Sequence, residues 1–574
     1  MDAKIKRSPN ALMQLFFKEL YHSPNFRLLI ILSVIAFVPT LGAVHLFDWD
    51  EINFAESARE MIVTGDYFHV QVNFTPFWEK PPLFFWLQAG SMHLFGINEF
   101  AARFPNALAG IITIAVIYFL GKRERDERFG LIWGFLYLCA FLPQMYFRSG
   151  IIDPVFNLFI FLSAYYLFKA LSEDEKKYMR SMWSGVFCGL AILTKGPVGL
   201  LLVILTFLIY VGIKRFKVLP NVKQVGIFAL CVFFVSFLWF GVGVLESGPW
   251  FIKEFIDYQI DLLTRPVAGH EQPFYYHFVV VFFGTFPLSV LSLPSLAKRK
   301  RDTEMERWWT ILFWVVMILF SIVSTKIVHY SSMAYLPLSF LAATVVAKVK
   351  WGELRLYIRI VFMVLASIFT LIFVGLPLFG VFRDRFYHVM KDPFAVEGFK
   401  NPDVSWTGFE PLVVLFFIAG IVMLVIYWRQ NQLLRGLKWN AVLFSVTLSL
   451  TTIFVVRKIE AHSQGPLIDF LESIKGEEVY VAPVGFKSYA QYFYFEQPEY
   501  PNAFKKIQDE KFDGEPTLYT PLEAQVRPFM KYGDIEYDAY FIAKVTTVEL
   551  DTIPHIHKIG QKGGYKFYKR EATQ

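Results

Sequence analysis

The chain has 574 residues, of which 55% are hydrophobic and only 18% charged, where a soluble domain carries roughly 25% charged residues. That balance excludes disordered, collagenous and disulfide-scaffold proteins and predicts a polytopic membrane protein. The net charge of +7 is distributed among short loops between apolar runs, so it reports loop orientation and not a nucleic-acid surface.

In chain order, apolar stretches fall at about 28–47, 105–121, 130–147, 154–168, 182–194, 196–213, 225–245, 278–296, 308–325, 330–347, 360–382, 411–428 and 439–456. Most reach the roughly 17–25 residues that cross a bilayer as a helix, which predicts thirteen spans. The first is too long for a signal-peptide core and lacks a small-residue cleavage site, so it reads as a retained signal anchor. Leu83 to Ile97 is a shorter apolar run containing His93 and is assigned to the interface. With that assignment the loops on the N-terminal side carry 29 Lys and Arg in 92 residues, and the opposite loops 12 in 128. The positive-inside rule then places the N-terminus in the cytoplasm and the tail outside.

The sequence changes character after Val456. Short runs such as Val479–Val484 and Ala539–Ala543 predict strands, and Ser488–Phe495 predicts a helix. The expected plan is a transmembrane catalytic domain, 1–456, with a first outer loop at 48–104, followed by a soluble extracytoplasmic α/β domain, 457–574. All three cysteines lie inside apolar runs and read as small packing residues.

Ionisable groups avoid the spans, as their insertion cost demands, and gather in the outer loops at helix ends. The first loop holds Asp48, Asp50, Glu51, Glu56, Arg59 and Glu60, then Glu79-Lys80-Pro81-Pro82. Later loops hold Arg148, Asp153-Pro154, Lys195-Gly196-Pro197, Arg265, His270, Glu271, His277, Lys326, His329 and Tyr330. All face the same side, so one site can draw on several loops. Ile52–Val63 is expected to form an amphipathic helix along the membrane surface, with Glu56, Arg59 and Glu60 on its polar face. Asp48-Trp49-Asp50 spells a DxD, but it follows a membrane helix and has no nucleotide-holding domain beside it.

The series Asp50-Glu51, Ala55-Glu56, Arg59-Glu60-Met61, Gly65-Asp66, Glu79-Lys80-Pro81-Pro82-Leu83 and Trp86 resembles the first outer loop of GT-C glycosyltransferases of the family 39 and 83 group. That group includes the lipid A aminoarabinose transferases, to which the likeness is greatest, and the protein O-mannosyltransferases. Arg148–Pro154, Thr194–Pro197 and Lys326–Tyr330 fit the same pattern. Asn53-Phe54 stands where the lipid A enzymes usually have Arg-Tyr.

The resemblance implies an inverting sugar transfer from a polyprenyl-phosphate donor to lipid A or a related glycolipid, on the periplasmic face of a bacterial inner membrane. Protein Ser/Thr glycosylation is the alternative acceptor chemistry. Asp50 is then the first choice for the base, with Glu51 and Asp153 orienting substrates. Lys80, Lys195, Arg265 and Lys326 are candidates to stabilise the phosphate, and Glu79 and Tyr330 to contact substrate. No cofactor is required. Glu79 with His270 or His277 is the pair that could hold a divalent ion, without a short ligand spacing to support it. Structural alternatives stand beside each role: an N-cap for Asp50, Glu51 and Asp153, a surface ion pair for Glu79-Lys80, and headgroup anchoring for Lys195 and Lys326. A transporter would instead place charges at the bilayer midplane and break helices there.

Overall fold

The computed structural model describes residues 10–77, 79–264, 272–298, 300–498 and 529–573. Among them, seven helices are long and apolar enough to cross a membrane. Nine spans result when each of two bent pairs, Gln14–His22 with Pro24–Phe37 and Tyr276–Gly284 with Leu288–Leu296, is taken as one. The chain is a multi-span helical membrane protein. The other four predicted spans are helical too, but shorter, interrupted or polar-ended. The 130–147 stretch divides into Glu127–Leu138 and Phe141–Tyr146, and Tyr335–Val346 has 12 residues because a 3-10 turn, Val328–Ala334, precedes it. Val198–Ile213 has 16 residues, and Lys177–Lys195 carries basic residues at both ends.

The helices pack through large aromatic side chains and close backbone contacts. Trp133, Trp308 and Trp309 are fully buried, and the Trp133 indole N–H donates to Ser339 Oγ at 2.7 Å, which satisfies the polar end of an otherwise apolar ring. Gly121 and Gly130 let two helices approach so closely that a Cβ on Gly130 would collide with the Tyr118 carbonyl.

The first outer loop folds into the helices Asp50–Thr64 and Leu83–Phe95, joined by a two-stranded ribbon of β1 (Gln71–Val72) and β2 (Thr75–Pro76). Here one expectation is corrected. Asp50–Thr64 is a helix, but its polar face is not solvated: Glu56, Arg59 and Glu60 are all buried. Arg59 forms a two-pronged pair with Glu56, both bonds 2.7 Å, and a longer bond of 3.4 Å to the Gln497 carbonyl. The C-terminal segment covers the face that periodicity assigned to water.

That segment carries a four-stranded sheet in the order β3 (Tyr480–Val484), β4 (Ala539–Lys544), β6 (Tyr565–Arg570), β5 (His557–Lys562). β3 and β4 are parallel and the other pairs antiparallel, so a crossover connection, not a hairpin, joins β3 to β4. A short helix, Ala490–Phe493, lies in this connection and packs on the Asp50–Thr64 helix.

Candidate functional site

The loops converge on a cavity of about 150 Å³ lined by Asp50, Glu79, Lys80, Asp153, Lys195, Tyr258, His329 and Tyr330, together with Trp49, Asn53, Lys487 and Tyr489. Its volume is well below the roughly 300–1,000 Å³ of a typical small-molecule site, so it would take one end of a larger substrate. A wider apolar groove of about 830 Å³, running from Phe17 to Ile35, contains Arg27 as its one charged residue and no carboxylate.

Each charged side chain reaches the cavity for a local reason. Asp153 begins the helix Asp153–Ser172, with Pro154 supplying the fixed first-turn geometry. Its carboxylate does not cap that helix; it accepts from Lys195 Nζ at 2.6 Å. Lys195 ends the helix Lys177–Lys195, where a cation suits the helix dipole, and Gly196 at φ +96° turns the chain away. Lys195 Nζ also lies 4.8 Å over the Tyr330 ring. Lys80 is 3.9 Å from Glu79 and 5.1 Å over the Tyr258 ring. Burial lowers the Lys80 pKa, with Glu79 opposing that shift and Lys195 adding to it.

Asp50 is the most open of the cavity carboxylates, its side chain 41% exposed. Among the described residues it accepts no hydrogen bond, and the helix it starts has no side-chain cap. His329 Nε2 stands 3.6 Å from Asp50 and 3.7 Å from Asp153. Burial pushes the imidazole below its usual pKa against the pull of Asp153, with Lys195 adding to the shift. A neutral ring therefore sits between two carboxylates at neutral pH.

Two predicted site residues turn elsewhere. Glu51 is buried and does not line the cavity: its carboxylate takes Arg103 Nε at 3.0 Å and Nη2 at 2.8 Å, plus the backbone N–H groups of Phe47 and Gly150. Burial opposes its ionisation, but Arg103 and those N–H donors outweigh burial and hold its pKa below the ordinary value. Glu51 is a bracket between the first loop and the helix Glu99–Glu124. Lys326 is buried and donates to the Val323 carbonyl at 2.7 Å, so it closes its own turn while His329 and Tyr330 point into the cavity. Arg265 and His270 lie outside the described residues.

Glu79 accepts the Tyr258 hydroxyl at 2.5 Å, and among the described residues no three His, Cys, Asp or Glu groups converge. His277 is fully buried and does not line the cavity.

His329, Tyr258, Lys487 and Tyr489 were not assigned site roles from sequence. His329 carried a signal, a polar group in a tight outer turn beside Tyr330. Tyr258, in the helix Trp250–Thr264, and Lys487 carried none.

The fold and parts of the sequence have known counterparts. Residues 79–240 match the family model for dolichyl-phosphate-mannose-protein mannosyltransferase. Over almost its full length the fold superimposes on the crystal structure of ArnT from Cupriavidus metallidurans bound to undecaprenyl phosphate, with a TM-score of 0.72, 18% identity and 98% of each chain covered. The chain has the GT-C fold. The resemblance seen in its first loop thus extends to the whole architecture of this GT-C protein. In sequence it is 28% identical over 356 residues to an undecaprenyl phosphate-alpha-4-amino-4-deoxy-L-arabinose arabinosyl transferase of Proteus mirabilis, covering 59% of this chain and 62% of that one. It is 27% identical over 395 residues to an uncharacterized protein of Aquifex aeolicus, 63% of this chain and 77% of that one. The match therefore spans less than two thirds of the Proteus enzyme.

Proposed function

We propose that this chain is a glycosyltransferase that takes a sugar from a polyprenyl-phosphate donor and delivers it to lipid A or a related envelope glycolipid. In this reading the chain crosses the bacterial inner membrane thirteen times, starts in the cytoplasm and carries 457–574 in the periplasm. The observation behind the proposal is the meeting, in one cavity at the ends of membrane helices, of the carboxylates Asp50 and Asp153 with the ammoniums Lys80 and Lys195. A lipid-linked donor suits such a place, because its tail stays among the helices while its phosphate rests at their ends.

The acceptor oxygen attacks the anomeric carbon of the donor sugar, and the bond from that carbon to the phosphate oxygen breaks. Its electron pair leaves with the polyprenyl phosphate, where Lys80 and Lys195 oppose the growing negative charge, with Arg265 as a third cation. A hydroxyl acceptor gives its proton to Asp50, whose oxygens have no competing hydrogen bond among the described residues. Asp153, fixed by Lys195, and the neutral His329 orient the reacting groups. Attack from the face opposite the phosphate inverts the anomeric centre. The match of residues 79–240 to a protein mannosyltransferase family favours one second reading, transfer to Ser or Thr hydroxyls of secreted proteins.

The test compares lipid A and glycoproteins by mass spectrometry in a deletion strain complemented with wild type or Asp50→Asn. Wild type should restore a sugar-bearing lipid A species, and Asp50→Asn should lower it by about 10²–10⁴-fold. If wild type restores only a glycoprotein the acceptor assignment fails, and if it restores no sugar-bearing species the transferase reading fails.

A further inference from the structure

One wall of the cavity comes from the far end of the chain. Lys487 and Tyr489 follow β3 and line the same space as Asp50 and Lys80. Their placement is over-determined. The Asp48 carboxylate accepts the Ser488 hydroxyl at 2.5 Å and the Tyr489 N–H at 3.2 Å. The Trp49 indole N–H donates to the Lys487 carbonyl at 3.3 Å. Lys487 Nζ sits 5.1 Å from the centre of the Trp49 ring and 5.0 Å from that of Tyr489. The two residues immediately before Asp50 thus clamp this segment, and two rings hold the ammonium in position.

The ion pairing of this lysine differs from that of the other cavity lysines. Lys195 is matched by Asp153 at 2.6 Å and Lys80 has Glu79 at 3.9 Å. Lys487, among the described residues, forms no ion pair with any carboxylate. A positioned cation left without an anion beside a cavity is suited to bind one, and the flanking rings offer flat surfaces against which the C–H face of a sugar can pack. The donor phosphate is committed by its tail to the cations at helix ends, Lys80 and Lys195. Lys487 lies on the C-terminal segment, just after β3.

We propose that Lys487, framed by Trp49 and Tyr489, binds a phosphate carried by the saccharide headgroup of the acceptor. This inference rests on the proposed transferase reading and names the residues that would select its second substrate.

The test uses the full chain in lipid nanodiscs and two probes, undecaprenyl phosphate and bis-phosphorylated lipid A, with binding measured for wild type, Lys487→Ala and Lys487→Arg. Lys487→Ala should weaken lipid A binding about tenfold or more and leave undecaprenyl phosphate binding unchanged, and Lys487→Arg should retain most of the lipid A affinity. Lipid A lacking one phosphate should bind wild type more weakly and lose less on Lys487→Ala. Equal melting temperatures of the three proteins exclude misfolding as the cause. Weakening of undecaprenyl phosphate alone would reassign Lys487 to the donor, and unchanged affinity for both probes would overturn the proposal while leaving the transferase reading intact. If wild type binds an acidic Ser-rich peptide and no lipid A, the saccharide acceptor is wrong. If wild type binds no undecaprenyl phosphate, the transferase reading itself fails.

Discussion

Asp50 and Glu51 are adjacent carboxylates at the start of one helix, and the structure treats them in opposite ways. Glu51 is buried against Arg103, whose remaining donors go to the carbonyls of Leu41, Val44 and His45. Every strong hydrogen-bonding group in that cluster has a partner. Asp50 opens on the cavity with His329, among the described residues, as its one charge partner within 4 Å. The difference separates charge that holds the fold from charge available for chemistry: a satisfied cluster has no spare capacity for a substrate, and an unsatisfied one survives only where substrate or water can reach it.

The largest effect should come from breaking the satisfied side. Arg103→Ala leaves Glu51 buried and unpaired, which costs about 3–5 kcal/mol; the expected outcome is poor recovery of folded protein and a clearly lowered melting temperature in detergent. Asp50→Asn should shift stability by less than about 0.5 kcal/mol while removing transfer activity, and equal melting losses in the two variants would erase the distinction.

An intermediate case is the Asp153–Lys195 pair, in the cavity with Asp153 buried and Lys195 half-buried. Thermal unfolding of Asp153→Asn, Lys195→Met and the double variant should give a coupling of about 0.5–3 kcal/mol, with the double variant more stable than the sum of singles predicts. Additive losses would show the two groups to be independent in the folded state.

The last contrast depends on pH and comes from Glu60, on the same helix but under the C-terminal segment. Burial, and then Glu56, raise its pKa to about 9, while its Oε2 accepts the Phe74 N–H at 3.0 Å. The folded protein thus binds a proton that the unfolded chain releases near pH 4.5. The stability this proton confers is complete below that value and is lost as pH rises toward 9. Glu60→Gln removes the titration and keeps the acceptor for Phe74, so it should melt about 2 °C or more above wild type at pH 8, with the gap shrinking toward pH 5. A gap that is the same at both pH values would refute a protonated Glu60.

Much of the architecture was legible because the bilayer imposes long-range order on local sequence. Most of the predicted spans are helical along most of their length, since backbone groups in hydrocarbon must be satisfied within their own segment, but the helix of the first ends at Phe37 and 330–347 begins in a 3-10 turn. The strands Tyr480–Val484 and Ala539–Lys544 lie within a residue of their predicted bounds. Glu51 and Lys326 were expected in the cavity and instead meet buried partners, because an acid or base in an outer loop looks the same in sequence in either place. The helix Asp50–Thr64 was expected to be half-solvated because periodicity cannot see a segment that packs onto it from more than 400 residues away.

Sequence alone thus determined that the chain is a multi-span helical membrane protein and which loops carry the acids and bases, because hydropathy acts locally against a fixed solvent. Only the tertiary structure decided which charges face one another. It paired Glu51 with Arg103, left Asp50 open, set His329 between two carboxylates and brought Lys487 to the same cavity. Those choices depend on contacts between segments far apart in the chain, where burial and partner geometry, not residue type, set the state of each group.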